Sequence, residues 1–159
     1  MKTFNIGNGR SLKLGKNDEI RIRDKVTKKE AVFTPARWAS FLLCLNEIDN
    51  QLYRLSLGED VAYCNHYGGG WHVSLTKGFR CIDLRKFYVP FGETVSKPTK
   101  TGIALRLSEW PTFKMAVDNL HRGNPAVANF TPCFLNQDHV TQQAIAACEE
   151  CSPFPSTFV

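Results

Sequence analysis

The sequence lacks any long apolar run, and this absence excludes the simplest membrane architecture. No stretch approaches the roughly 20 consecutive apolar residues that a membrane-spanning helix needs. Residues 1–16 also lack the apolar segment of a signal peptide. We therefore expect a protein of the nucleus or another intracellular compartment, with no membrane partner. In such a compartment the six cysteines are expected to be thiols or metal ligands in preference to disulfides.

The patterns of common catalytic sites are also missing. The sequence contains neither the GxGxxG phosphate loop nor DxD or ExxH arrangements. Three consecutive glycines at 68–70 indicate a tight turn or a flexible arm more than a phosphate cradle. Cys64 and His66 lie two residues apart, but no third residue is evident that would orient such a pair. We expect a protein that is not an enzyme.

Basic residues are absent from the end of the chain. Residues 123–159 contain no Lys or Arg and three acidic side chains, whereas residues 1–122 contain 20 basic and 12 acidic ones. The body of the chain thus has a net charge of +8 and the tail one of −3. A basic body attracts polyanions, and nucleic acid is the commonest polyanion inside a cell. The alternative is a basic solvated surface without such a partner.

Two parts of the sequence repeat each other at a constant offset of 72 residues, which brings Trp38 onto Trp110. In both copies the apolar residues run i, i+3, i+7, i+10, which is one face of a helix. Thr34 and Ser108 stand before prolines and are expected to cap these helices. We expect the two stripes to pack against each other or against a sheet. They are Trp38, Phe41, Leu45 and Ile48 in the first copy, and Trp110, Phe113, Val117 and Leu120 in the second.

Strand-like alternation of apolar and polar residues precedes each helix, for example in residues 19–26 and 80–89. The sequence therefore predicts an α+β fold of two antiparallel sheets, each followed by one helix. Because one module buries little surface alone, the two are expected to pair as an intramolecular pseudo-dimer within a monomer. The expected divisions are a shorter first repeat (1–49), a second repeat (50–122) and an irregular Cys/His tail (123–159).

Three segments of the second repeat have a distinctive order and spacing: CIDLRKFY (81–88), KPTKTGIAL (97–105) and SEW (108–110). They resemble the positive cofactor four family of single-strand-binding RNA polymerase II transcriptional coactivators, in its C-terminal domain. The resemblance covers residues 68–122 well and 4–48 more faintly. It implies curved antiparallel sheets with a C-terminal helix, used as a dimer, with single strands on the concave face. Here one chain would hold both halves as a tandem repeat.

The resemblance also implies individual roles. Arg85 matches the strand arginine of the family, and Tyr88 matches a tryptophan that stacks on a base. Lys77 and Lys100 match basic positions near the phosphates, and Lys97 matches a loop lysine.

The sequence departs from the family at several positions. Thr76 replaces a second stacking phenylalanine, Thr101 replaces a basic residue, and Val26 stands opposite Tyr88 in the first repeat. Arg85 and Tyr88 also have opposite parity along their strand. Both can face a ligand only if a bulge or the strand end intervenes.

Cations that contact phosphates, interleaved with rings that stack on unpaired bases, form a groove for single strands with little sequence preference. We therefore expect single-stranded DNA, or RNA, as the partner, with no cofactor required and a role in transcription or replication. The candidate rings close to these cations are Phe79, Phe87, Tyr88 and Trp71. Core packing is the favoured interpretation for Phe87, and Trp71 could serve either role. A protein-interaction module of the transcription machinery and a duplex DNA or RNA binder remain alternatives. The expected binding residues are Lys13, Arg21, Arg23, Lys77, Arg85, Tyr88, Lys97 and Lys100.

The tail contains a possible set of metal ligands. Cys133, His139, Cys148 and Cys151 read C-x5-H-x8-C-x2-C. Four soft ligands that end in a CxxC suit tetrahedral zinc. The alternative is three ordinary thiols and a surface histidine, because the spacing is not among the commonest.

Overall fold

Eight antiparallel strands form two four-stranded meanders in the computed structural model, which describes residues 2–139 and 141–152. Sheet 1 consists of β1 (Lys2–Gly7), β2 (Arg10–Leu14), β3 (Ile20–Asp24) and β4 (Glu30–Phe33) in that order. Sheet 2 consists of β5 (Ala62–Gly68), β6 (Trp71–Thr76), β7 (Phe79–Tyr88) and β8 (Lys97–Arg106). The predicted α+β fold with two antiparallel sheets is confirmed.

Helices follow both sheets. After sheet 1 come α1 (Pro35–Leu42) and α2 (Leu45–Ser56), and after sheet 2 come α3 (Trp110–Gly123) and the short α4 (Pro125–Ala128). The tail contains α5 (Gln142–Ala147), and part of the predicted 123–159 segment (residues 140 and 153–159) lies outside the described residues. Within the described ranges, no helix combines the length and apolar character needed to cross a bilayer.

The helical segment after sheet 1 differs from the single helix that the sequence predicts. It is divided at Cys44, whose N–H bonds to the Phe41 carbonyl three residues earlier at 2.9 Å. The tighter turn interrupts the α-helical ladder, which resumes when Ile48 N–H bonds to the Cys44 carbonyl. The second helix then continues to Ser56, beyond the boundary expected at residue 49.

The two predicted helix caps have different outcomes. Thr34 caps α1, because its hydroxyl accepts a hydrogen bond from Arg37 N–H at 3.3 Å. The prediction for Ser108 is wrong. It lies in a 3₁₀ turn (Leu107–Glu109), and the Glu109 carboxylate accepts the Arg106 N–H at 2.7 Å instead.

The core lies between the sheets and the helices and contains most of both apolar stripes. Phe33, Trp38 and Phe41 are fully buried and mutually packed, with Phe33 5.2 Å from each of the other two ring centroids. Phe41 also reaches Phe113 of α3 at 6.2 Å. Leu45 differs, because it is only partly buried at the edge of the core. The helix α1 packs on β5 and α3 packs on β1, so each sheet is covered by the helix that follows the other sheet.

A reciprocal pair of hydrogen bonds joins the two halves. Trp38 Nε1–H donates to His121 Nε2 at 3.1 Å, and Trp110 Nε1–H donates to Asp49 Oδ1 at 2.9 Å. Burial lowers the pKa of His121, so its neutral ring is available as an acceptor. Trp110 follows Trp38 by 72 residues, and His121 follows Asp49 by the same number. This exchange of equivalent contacts is the pattern of a twofold interface.

A buried polar contact also connects the sheets. The Arg10 guanidinium bonds to Asp24 at 3.1 Å, to Glu109 at 2.8 Å and to the Ala104 carbonyl. The pKa of Asp24 is lowered, first by the hydrogen bond from Thr27 N–H and then by Arg10. These charges are paired and hydrogen-bonded, as partly buried charges must be.

Candidate nucleic-acid interface and metal site

In the described part of the chain, α1 and α3 pack on one face of each sheet, and the opposite faces carry grooves. In sheet 1 the inward side chains Ile20 and Ile22 are fully buried, so the alternating Arg21 and Arg23 point outward. In sheet 2 the same alternation turns Arg85 outward beside the buried Leu84. We call these open surfaces the outer faces of the two sheets.

The outer face of sheet 2 contains a groove of about 840 Å³, which we call groove 2. Three rings line it: Phe79, Phe87 and Tyr88. Arg85 and Lys100 line the same groove. Phe79 is 74% exposed and Tyr88 is 39% exposed, so both rings are accessible to a ligand. Groove 2 therefore places cations beside flat apolar surfaces.

A bulge allows Arg85 and Tyr88 to line one groove despite their opposite parity. The register of β7 and β8 shifts between Arg85, opposite Gly102, and Phe87, opposite Pro98. Gly102 has φ +155°, and a Cβ there would stand 2.8 Å from the Arg85 Cα. Only glycine fits at this close approach of the two strands. A bulge of this kind is what two residues of opposite parity need if both are to face the same groove.

The Arg85 side chain is held in place by its neighbours. Its Nε and Nη2 groups donate to the two Asp83 carboxylate oxygens at 3.0 and 2.9 Å, and Nη1 donates to the Thr99 carbonyl at 3.1 Å. The hydrogen bonds with Asp83 are the main reason that the pKa of Arg85 is raised. This arrangement fixes the guanidinium plane and partly neutralises its charge. Within the described part of the chain, Lys100 has no such partner.

The outer face of sheet 1 contains a groove of about 570 Å³, which we call groove 1. Lys13, Arg23, Lys25 and Lys28 line it, and no aromatic residue does. Among the described residues, Arg23 has no ion-pair partner, unlike Arg85 in sheet 2. Groove 1 is therefore suited to phosphate groups but offers no ring for a base.

The remaining predicted binding residues lie outside these two grooves and are ion-paired. Arg21 donates to Glu19 at 2.7 Å and to Glu30 at 2.9 Å, and the first of these bonds is the main reason that its pKa is raised. Lys77, in the turn between β6 and β7, pairs with Asp60 at 3.2 Å. Lys97 pairs with Glu93 at 3.1 Å. The structure thus brings together Arg85, Tyr88 and Lys100 in one groove and Lys13 and Arg23 in the other.

The sequence indicated Phe79 and Phe87 as rings near the cations, but neither was among the expected binding residues. Hydrophobicity favours the core for Phe87, but this residue has the parity of Arg85 and lies on the outer face. That parity was a usable signal. Phe79 begins β7 and carries no sequence signal that separates it from a core residue.

The four predicted metal ligands of the tail converge. The ligand atoms of Cys133, His139, Cys148 and Cys151 all lie within 4.8 Å of one another. Cys133 Sγ is 3.7 Å from His139 Nε2 and 3.8 Å from Cys148 Sγ. Tetrahedral zinc with bonds of about 2.1–2.3 Å separates its ligand atoms by roughly 3.5–3.8 Å. The tail therefore contains a group that fits such an ion.

The hydrogen bonds around His139 also suit a metal ion. His139 Nδ1 bonds to the Asp138 carboxylate at 2.7 Å, which orients Nε2 toward the thiols. The hydrogen bond with His139 is the main reason that the pKa of the Cys148 thiol falls to about 7. A thiol with such a pKa is readily available as the thiolate that zinc requires. Burial raises the pKa of Cys133 and raises that of Cys151 to about 12, so these two thiols would lose their protons only as an ion binds.

The tail is anchored beside sheet 2. The Glu150 carboxylate accepts from Arg37 Nε at 2.6 Å and from Nη2 at 3.0 Å, and the Glu150 carbonyl accepts from Gly69 N–H at 2.9 Å. A Cβ at Gly69 would collide with the Arg37 guanidinium, whose Cζ would be 2.7 Å away. The turn of three glycines therefore allows the close approach of α1 and the tail.

Comparison with known families identifies one match. The family described as Transcriptional Coactivator p15 (PC4) matches residues 72–116, which run from β6 into α3. No curated protein and no solved structure gives a significant match. The matched range includes Arg85, Tyr88 and Lys100 of groove 2. The match supports a relationship between the second sheet with its helix and the PC4 family.

Proposed function

We propose that the protein binds single-stranded nucleic acid, with a preference for DNA, across the outer faces of both sheets. We also propose that it catalyses no reaction. The observation that carries this proposal is groove 2, in which Arg85 and Lys100 border the exposed rings of Phe79 and Tyr88. Cations attract backbone phosphates, and unpaired bases stack on rings with little regard to their sequence. The PC4-family match to the same segment supports the proposal.

The two grooves would contribute differently to this binding. Groove 1 offers Lys13, Arg23, Lys25 and Lys28, so it would hold phosphates by charge. Groove 2 would hold both phosphates and bases. The reciprocal bonds of Trp38 and Trp110 support the interpretation of the chain as a tandem repeat that forms a pseudo-dimer.

Rings on the binding face favour single strands over a duplex. A duplex keeps its bases stacked on one another and presents mainly phosphates to a basic surface. Phe79 and Tyr88 would then have no unpaired base to stack on. By analogy with the matched family, we extend the proposal to a nuclear role in transcription or replication, with proteins of that machinery as further partners.

Competition in gel-shift assays tests the proposal. Labelled oligo(dT) is challenged with unlabelled single-stranded DNA, single-stranded RNA and duplex DNA of equal length, at several salt concentrations. Single-stranded DNA should compete best, and affinity should fall as salt rises. Equal competition by the duplex would indicate a general polyanion binder. Absence of any binding would favour a protein-interaction module.

We also infer that the tail holds one zinc ion through Cys133, His139, Cys148 and Cys151. The mutual distances and the second hydrogen bond of His139 support this inference. The ion would cross-link the tail and so hold Glu150 against Arg37. Elemental analysis of the purified protein should find one zinc per chain, and the double variant Cys148→Ser/Cys151→Ser should lose it. A parent protein without zinc would refute the inference. Cys64→Ser is the matched control, because that exposed thiol lies outside the group.

A further inference from the structure

Three rings form a series on the outer face of sheet 2. The centroids of His66 and His72 are 5.1 Å apart, and those of His72 and Phe87 are 4.5 Å apart. His72 is buried, while Phe87 is half-exposed and lines groove 2. Phe87 thus packs on His72 and contributes surface to the groove.

The backbone of Gly70 fixes this series. Its carbonyl accepts from Phe87 N–H at 2.8 Å and from His72 Nδ1 at 3.2 Å, and its N–H donates to His66 Nε2 at 3.0 Å. Burial lowers the pKa of both histidines, that of His66 to about 4. Both rings are therefore neutral near pH 7 and offer polarizable surface instead of charge. A ring held in a preset orientation loses little conformational entropy when a ligand stacks on it.

We propose that Phe87, supported by His72, is a stacking site for an unpaired nucleobase in groove 2, in addition to the site at Tyr88. The inference rests on the proposed function and names a second base-binding residue within it. Arg85 lies in the same groove and supplies the cation for the adjacent phosphate. Sheet 1 has no equivalent, because Lys25 and Val26 occupy the positions 62 residues before Phe87 and Tyr88.

Tryptophan fluorescence can report directly on this site. The native Trp38, Trp71 and Trp110 are 0%, 4% and 3% exposed, so they give a shielded background. The variant Phe87→Trp places an indole at the proposed site. Added oligo(dT) should quench the emission of this indole, because a stacked base quenches indole fluorescence. The quenching should saturate at the same oligo(dT) concentrations as binding in the gel-shift assay. Met115→Trp is the control, since Met115 is 64% exposed on α3, away from the grooves. Its emission should not change.

Affinity measurements complete the test. Phe87→Ala should weaken oligo(dT) binding by about 5- to 150-fold, the range expected when one base loses its stacking partner, and leave the salt slope unchanged. Phe87→Leu retains apolar volume without a ring and should show most of the same weakening. Thermal unfolding midpoints near that of the parent verify that both variants are folded. If one does not fold, the quenching of Phe87→Trp decides.

The outcomes separate this inference from the proposed function. If the parent binds no single strand, the proposed function fails. If the parent binds, Phe87→Leu binds within twofold of it and Phe87→Trp is not quenched, Phe87 is a packing residue. The stacking site is then refuted, while single-strand binding stands.

Discussion

Sheet 1 and sheet 2 have the same strand order, but their outer faces have different chemistry. Inward positions are equivalent, as in Ile20 and Ile82, because both must fill one core. Positions 62 residues apart on the other side differ: Arg21 corresponds to Asp83, and Lys25 and Val26, in the turn after β3, correspond to Phe87 and Tyr88. Packing therefore constrains one face of each sheet and leaves the other free to vary. In the proposed function this difference would let sheet 1 hold phosphates and sheet 2 hold bases as well.

The strands that build the grooves also differ in length. β7 and β8 have ten residues each, whereas β3 and β4 have five and four. The additional residues carry Tyr88 and Pro98 past the end of the core, and the bulge at Gly102 turns Tyr88 into the groove. The longer hairpin explains how sheet 2 acquires rings that sheet 1 lacks.

The largest difference between the sheets is expected for their equivalent arginines. Arg85→Ala removes a cation and leaves the Asp83 carboxylate unpaired on the binding face, which repels phosphates. Arg23→Ala removes a cation only. We expect decreases in single-strand binding energy of about 2–3 kcal/mol for Arg85→Ala and about 1 kcal/mol for Arg23→Ala. Removal of one phosphate-binding cation should also reduce the salt slope by about 0.7. Affinities measured over a salt series check both values, and equal decreases would contradict the asymmetry.

Removal of a ring gives the next effect. Tyr88→Ala should cost roughly 1–3 kcal/mol of binding energy because a base can no longer stack there, with nearly the same salt slope as the parent. Val26→Ala is the matched control at the equivalent position of sheet 1, and it should change little because no ring is removed. Fluorescence anisotropy with labelled oligo(dT) measures both variants. If Tyr88→Ala binds as tightly as the parent while the arginine variants fail to bind, groove 2 attracts polyanions by charge alone and the stacking role of Tyr88 is wrong.

Acid should destabilise sheet 2 before sheet 1. The pKa of His66 falls to about 4 and that of His72 also falls, in both cases mainly through burial. A histidine with a lowered folded-state pKa binds its proton more readily when unfolded. Its contribution to stability is therefore present above the unfolded pKa of about 6.5 and is lost as pH falls from there toward 4. In the strand register of sheet 1, Ser11 stands opposite Arg23 as His72 stands opposite Arg85, and Asn5 stands opposite Ser11 as His66 stands opposite His72. Sheet 1 therefore has no histidine at these positions. Amide exchange at pH 7 and 5 should show faster opening in sheet 2 alone, and uniform opening would contradict this.

Metal removal should produce the smallest and most local change. Glu150 lies between Cys148 and Cys151 in the sequence, and its carbonyl accepts a hydrogen bond from Gly69 N–H. Removal of the metal by a chelator should therefore break this hydrogen bond. We expect hydrogen exchange of the Gly69 amide to accelerate about tenfold or more, a decrease of at least roughly 1.4 kcal/mol in local stability. Backbone amides of sheet 1, such as Lys25 N–H bonded to Gly9, should exchange as before. Unchanged exchange at Gly69 would show that the tail is held without a metal.

Residues whose placement follows from periodicity could be predicted from the sequence. The two apolar stripes follow from helical periodicity and the two sheets from alternation, and the C-x5-H-x8-C-x2-C spacing indicated a possible ligand group whose members do converge. Features that depend on tertiary contacts could not be predicted. The ion pair of Lys77 with Asp60 is such a feature, because it joins residues 17 positions apart. The division at Cys44, the Glu109 cap and the Lys97–Glu93 pair are local contacts, three or four residues apart, that the periodic patterns do not indicate. The position of Phe87 was predictable in principle, but its hydrophobicity favoured the core.

We propose that one single strand contacts both outer faces, by charge on sheet 1 and by charge with stacking on sheet 2. Titration of isotope-labelled protein with oligo(dT), followed by amide and aromatic NMR shifts, can detect these contacts residue by residue. We expect amide shifts at Arg23 and Arg85 together, ring-proton shifts of Tyr88 and Phe87, and unperturbed helices α1 and α3. Shifts confined to the helices, or ring protons of Tyr88 and Phe87 that do not move while the strand binds, would contradict it.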